Sequence, residues 1–130
     1  MGSKTALSQA FEIQASCSTL GFDWETVAPV FDKVLEELRE VNDEIMQADV
    51  DPHKVQEELG DLLFAVVNLC RHLDVTPEEA LHQANQKFNG RFAKVQAYAV
   101  KQGRTLETMS MEEKEILWQK AKLAEKQNER

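Results

Sequence analysis

Apolar residues recur at three- and four-residue spacing along almost the whole chain, the period of amphipathic helices. No run of four to eight residues alternates convincingly, and no Asn-Gly or Asp-Gly pair marks a hairpin. The pattern predicts an all-α fold, a bundle of about five helices. The first runs from about Thr5 to Thr19, with Gly21 as its stop. The second opens between Thr26 and Pro29 and continues to about Ala48. Asp51-Pro52 supplies an N-cap and then proline at the first helical position, opening a third helix that ends near Leu73. Thr76-Pro77-Glu78-Glu79 has the form of a capping box. The fourth helix it opens extends to Gln102 and stops at Gly103. Ser110-Met111-Glu112-Glu113 repeats the device for a fifth, through Trp118 towards Lys126.

The connections are short and carry no Gly/Ser-rich linker, and no internal repeat is found. The expected organisation is one helical domain over residues 4–126. Met1 to Ser3 read as an expression remnant, and residues 127–130 as a charged, frayed tail.

Composition narrows the function. In 130 residues, 23 Asp and Glu outweigh 15 Lys and Arg, a net charge of -8. An acidic chain is poorly suited to a nucleic-acid polymer, whose binding draws on many phosphate-neutralising cations. A small polyanion would be acceptable only with metal ions between the charges. No apolar run approaches the ~18 residues of a membrane span. Cys17 and Cys70 lie on separate apolar segments without a CxxC, and no charged-then-apolar leader is evident, so a reducing cytoplasm is expected.

The chemistry concentrates in two neighbouring helices. On a wheel, Val27, Val30, Phe31, Val34, Leu38, Val41 and Ile45 form an apolar stripe, with Glu37 and Glu40 together on one flank and Glu36 facing solvent. In the third helix Val55, Leu59, Leu62, Leu63, Val66, Cys70 and Leu73 form the stripe. Glu58 and Asp61 flank it on the same rotational side, with Glu57 further out. A short connection makes the helices antiparallel neighbours, so the flanking pairs could converge. Two like charges about 4 Å apart repel by roughly 4 kcal/mol at an effective dielectric of 20. A shared divalent cation would remove that penalty, and all-oxygen ligands favour Mg²⁺ or Mn²⁺ over zinc. The residues alone leave a plain solvated acidic face equally open.

Glu36-Glu37-Leu38-Arg39-Glu40 followed by Glu58-Leu59-Gly60-Asp61 resembles the EExxE and ExxD signature of the all-α nucleoside triphosphate pyrophosphohydrolases, and within them the MazG family. Gly21-Phe22-Asp23-Trp24, Glu57 through Phe64, and Ala84 through Phe92 are similar to further blocks of that family, in order, and the likeness covers about Ala6 to Lys122. Its strongest form is to the C-terminal of the two related domains of full-length bacterial MazG, so a stand-alone protein or an excised C-terminal half is expected.

The resemblance implies Mg²⁺-dependent hydrolysis of NTPs and dNTPs to nucleoside monophosphate and pyrophosphate; a homodimer is expected separately, because an apolar stripe too broad for one short domain would bury its remainder against a second copy. It makes Glu37, Glu40, Glu58 and Asp61 the metal ligands and catalytic set, with Glu36 and Glu57 weaker candidates. The metals would neutralise phosphate charge and activate a water. It makes Lys54, Lys87 and Arg91 phosphate contacts, and sets Trp118 near the nucleotide. On the residues alone, Lys54 reads equally as an exposed partner of Glu58, Lys87 and Arg91 as a solvated face, and Trp118 as core. Phe11, Glu12, Ala15 and Ser16 replace basic residues of some relatives, so base preference does not transfer.

The alternative is a catalytically inactive helical dimerisation or regulatory module on the same scaffold. A carboxylate-bridged di-iron bundle fails, because it needs two inward ExxH elements and only Glu79 with His82 offers one. His53, His72 and His82 read as surface or helix-end residues, and both cysteines as packing groups.

Overall fold

A computed structural model describes residues 4–128, all helical apart from their connections. The residues read as an expression remnant, and the last two of the expected tail, lie outside this range. Helix α1 is Ala6–Thr19, α2 Val27–Ile45, α3 Pro52–His72, α4 Pro77–Lys101 and α5 Met111–Asn128, with a 3-10 turn at Leu106–Thr108. The expected all-α architecture of five helices is observed, and among the described residues there is no strand.

Several of the local signals act as their chemistry dictates, although among the described residues the Thr76–Glu79 box forms neither of its side-chain bonds. Thr5 Oγ1 accepts from Ser8 N at 3.1 Å and caps α1. Gly21 takes φ +83°, which lets its own N–H reach Ser18 O and the next N–H reach Cys17 O. Asp51 Oδ1 accepts from His53 N at 3.0 Å, with Pro52 opening α3. Ser110 and Glu113 form both bonds of a capping box: Glu113 N donates to Ser110 Oγ and Ser110 N to Glu113 Oε1. Gly103, at φ +67°, closes α4.

One end differs from the expectation, and another closes near Leu73 as expected but through an unexpected residue. Helix α2 stops at Ile45 rather than near Ala48, because Gln47 caps it: its side-chain Nε2 donates to Asp43 O at 3.0 Å. Helix α3 is closed by a non-glycine residue in the left-handed region, Asp74 at φ +57°. Its N–H bonds Arg71 O, and Val75 N bonds Cys70 O.

The chain divides into two compact units, one through Ala80 and one from Leu81. In the first, α1 and α2 both pack on α3. Gln14 is buried and donates from Nε2 to Phe64 O at 2.9 Å, tying α1 to α3. The inward positions of α2 are Val30, Val34, Glu37 and Val41, and those of α3 are Val55, Glu58, Leu62 and Ala65, each at spacings of three and four. The predicted stripes are therefore split. Phe31, Leu35, Leu38 and Ile45 of α2, with Leu59, Leu63 and Val66 of α3 and Leu73 at its C-cap, remain 38–58 % exposed. In the second unit Val95 and Ala99 of α4 meet Met109, Leu117 and Ala121, flanked by Tyr98, Leu106 and Trp118. No helix among the described residues is long and apolar enough to cross a membrane.

Candidate metal centre

The split stripe sets the depth of the acidic residues. Glu37 falls on the inward line of α2, seven residues after Val30, and is only 6 % exposed. Glu40 follows one turn later and is exposed, while Glu58 is half-buried on the facing line of α3. The two helices are consecutive and packed, and both sets lie roughly two turns from their connection. Carboxylate oxygens of Glu37, Glu40 and Glu58 accordingly stand within 4.8 Å of one another. Asp61, the fourth residue of the expected set, is exposed one turn further along α3 and outside this trio.

Three carboxylates at this separation repel one another. Glu40 shows it: hydrogen bonding to Glu37 and the Glu37 charge raise its carboxyl from 4.5 to about 7, with Glu58 adding to the effect. Lys33 provides one counter-charge, its Nζ 3.1 Å from Glu37 Oε1 and 3.5 Å from Glu36 Oε2. These carboxylates, Glu37 first, raise the lysine pKa. The compensation is incomplete. Glu37 Oε2 and Glu58 Oε2 are both buried without a hydrogen-bond partner, and such acceptors are costly to leave unsatisfied. An all-oxygen donor set with two orphaned, inward acceptors fits a hard divalent cation. Sequence reasoning passed over Lys33, although its i, i+4 relation to Glu37 was visible.

The remaining candidates lie elsewhere. Lys54 is exposed in the first turn of α3, one turn before Glu58. In the second unit Lys87 is exposed, and Arg91 is half-buried with its Nε 2.6 Å from Glu125 Oε2 and its Cζ 5.8 Å from the centre of the Trp118 ring. Trp118 also meets Phe88, with ring centres 5.2 Å apart.

A separate cavity of about 380 Å³ opens between α1, the Gly21–Trp24 loop and α3, with Phe22, Trp24 and Phe64 in its walls. One side is fixed by Asp23, whose Oδ1 lies 2.7 Å from Arg71 Nη2 and 2.8 Å from His72 Nε2. The Arg71 guanidinium holds the Asp23 carboxyl well below the usual carboxylate range. The acidic trio is not part of its lining.

The model of the MazG nucleotide pyrophosphohydrolase domain matches residues 25–96, which include the whole acidic hairpin. This chain belongs to the MazG nucleotide pyrophosphohydrolase domain family. Among curated relatives, the nucleoside triphosphate pyrophosphohydrolase of Escherichia coli (strain K12) is 48 % identical over 120 residues, covering 92 % of this chain and 46 % of the relative. The nucleoside triphosphate pyrophosphohydrolase/pyrophosphatase MazG of Thermotoga maritima is 44 % identical over 117 residues, 90 % of this chain and 44 % of the relative. The uncharacterized protein YabN of Bacillus subtilis (strain 168) shares 41 % over 76 residues, 58 % of this chain and 16 % of that protein. The chain thus spans a little under half the length of the Escherichia coli and Thermotoga maritima relatives.

Proposed function

We propose that this chain is a Mg²⁺-dependent nucleoside triphosphate pyrophosphohydrolase that converts NTPs and dNTPs to nucleoside monophosphate and pyrophosphate and works as a homodimer. The observation that carries the reading is the α2–α3 trio, with two buried carboxylate oxygens lacking any donor. Membership of the MazG family supports it.

Glu37, Glu40 and Glu58 would hold the cation, with Asp61 joining from the exposed side. Mn²⁺ is accommodated by the same donors. A divalent cation in such a site neutralises phosphate charge and makes water a better nucleophile. The hairpin positions the acids: Glu37 is fixed by its buried helix face and by Lys33, so its carboxylate needs little reorganisation when substrate arrives. Lys54, Lys87 and Arg91 supply cations to the polyphosphate, and Trp118 an aromatic face. Water adds at the α phosphorus and gives up a proton, the bond from that phosphorus to the α–β bridging oxygen breaks, and pyrophosphate leaves with the bridging oxygen.

The homodimer reading rests on the apolar residues left exposed along α2 and α3, more than a single packed face ordinarily leaves to water. A second copy would cover them with the same residues, as two-fold symmetry requires. Free Cys17 and Cys70 suit a reducing, cytoplasmic setting.

The test is product identification across eight NTPs and dNTPs with and without Mg²⁺, alongside light scattering for mass. Pyrophosphate release that needs Mg²⁺, and is lost in Glu37→Gln and Asp61→Asn with the fold intact, is the expected result. Stepwise phosphate release, or full activity in both variants, would overturn the reading. No turnover with any nucleotide would leave the inactive module.

A further inference from the structure

Glu125 sits near the end of α5, where a charged side chain is ordinarily solvated. Instead it is 22 % exposed at its side chain and bonds a residue 34 positions earlier, Arg91 of α4. The geometry of this pair is selective. Glu125 Oε2 takes the Arg91 Nε–H at 2.6 Å, so the bond is spent on the inner nitrogen of the guanidinium, and the two terminal nitrogens lie outside it. The Arg91 Cζ stands 5.8 Å from the Trp118 ring centre. Trp118 is in turn braced by Phe88 at 5.2 Å and 44°, and Phe88 stacks on Phe92 at 6.0 Å and 12°. A guanidinium held at Nε and rested on an aromatic face has lost most of its rotational freedom before any ligand arrives. Its outer edge keeps the planar fork that matches two phosphate oxygens.

We infer that Glu125 is a positioning residue for substrate binding: through its bond to Nε it orients the Arg91 fork, over Trp118, for the polyphosphate of the nucleotide. The inference rests on the pyrophosphohydrolase reading and adds a residue and a role to it. Glu125 touches no substrate itself. Its negative charge is tolerable beside a polyanion site because Arg91 neutralises it, and because the carboxylate faces the inner edge of the guanidinium. A pair that only strapped α4 to α5 would have no need to leave the fork edge open.

The experiment compares the full chain with Glu125→Ala, Glu125→Asp, Glu125→Gln and Arg91→Ala, singly and with Glu125→Ala combined with Arg91→Ala. The readouts are KM, kcat, and the Kd for a triphosphate analogue carrying a non-hydrolysable α,β-imido bridge. Losing an oriented charge-assisted contact should raise KM and Kd about tenfold in Glu125→Ala, with kcat changed far less, the signature of lost uniform binding. Glu125→Asp, too short to reach Nε, should behave alike and serves if the alanine variant does not fold. Glu125→Gln keeps an acceptor for Nε and should recover most of the affinity. In the Arg91→Ala background, Glu125→Ala should add nothing, since there is no fork left to orient. Unchanged KM and Kd in the Ala and Asp variants, or equal losses with and without Arg91, would reduce the pair to a helix strap and overturn the inference. If the wild-type chain neither binds the analogue nor releases pyrophosphate, the functional reading falls and takes the inference with it. Wild-type turnover with insensitive Glu125 variants sinks the positioning role alone.

Discussion

Lys33 Nζ lies 3.1 Å from Glu37 Oε1, one helical turn away on α2, so the most deeply placed acid of the trio already has a cation beside it. A lysine and a divalent metal both compete for the same carboxylate. Replacing Lys33 with Ala should therefore tighten divalent-cation binding, read by calorimetry as a Kd lower than that of the wild type. The metal-free protein should lose stability, but by no more than about 1 kcal/mol, because the lysine side chain is 48 % exposed and well screened. Weaker Mg²⁺ binding in the variant would show that the ammonium assists the site.

Glu40 gives the metal-free protein a pH dependence of definite sign. Folded Glu40 keeps its proton up to about 7, whereas an ordinary glutamate loses it near 4.5. The folded state thus binds more protons between these values and loses stability as pH rises through them. Thermal melts in EDTA should show a midpoint that falls from pH 5 to pH 7 and levels off above, and Glu40→Gln should flatten the slope. Mg²⁺ binding near pH 6 should release protons, measurable as a buffer-dependent heat. A midpoint that climbs over that window in the wild type alone would contradict the crowding of the three carboxylates.

Glu58→Gln should separate stability from activity. Removing one of three neighbouring negative charges, with an amide that can donate to Glu37 or Glu40, should raise the melting temperature in EDTA. The Mg²⁺-induced rise in that temperature should vanish. Pyrophosphate release should fall by at least the roughly hundredfold that even outer partners of metal ligands can cost. A variant that is less stable without metal would mean the wild-type carboxylates are not in conflict.

Asp23→Asn tests the junction with Arg71 and His72 at the end of α3. Asp23 is held low chiefly by the Arg71 guanidinium, so its contribution is present above the ordinary carboxylate range and lost as pH falls below it. The variant should cost about 1–3 kcal/mol in urea melts at neutral pH, with the difference shrinking under acid. Glu113, brought down to about 2 mainly by Arg104, acts in the same direction. Both oppose the Glu40 effect only at lower pH, which keeps the two windows distinguishable.

Much of the scaffold was legible because its signals are local. Asp51-Pro52, Ser110 with Glu113, Gly21 and Gly103 each act on backbone groups within a few residues, and each does in the structure what its chemistry suggests. The end of α2 was misplaced because Gln47 supplies a side-chain donor to Asp43 O, a bond with no strong sequence signature. Asp74 carries no comparable signal, since the left-handed conformation it takes after α3 is ordinarily a glycine's. The wheel placed Glu37 and Glu40 on a common flank but could not say how far α3 would rotate the hairpin. In the packed hairpin Glu37 is buried, while Phe31, Leu38 and Asp61 are exposed. The Arg91–Glu125 bond joins residues 34 apart and has no periodicity at all. What a period or a cap encodes could be read; what depends on one helix meeting another could not.

The outward-facing rows of α2 and α3 also govern how this protein behaves in the tube. If they close on a second copy, thinning the sample becomes a mild denaturant, since each separated chain would bare eight greasy side chains to water. Melting curves and rate assays should then drift with protein concentration, and a mutant that merely parts the copies could pass for one with a damaged centre unless both are measured at matched dilution.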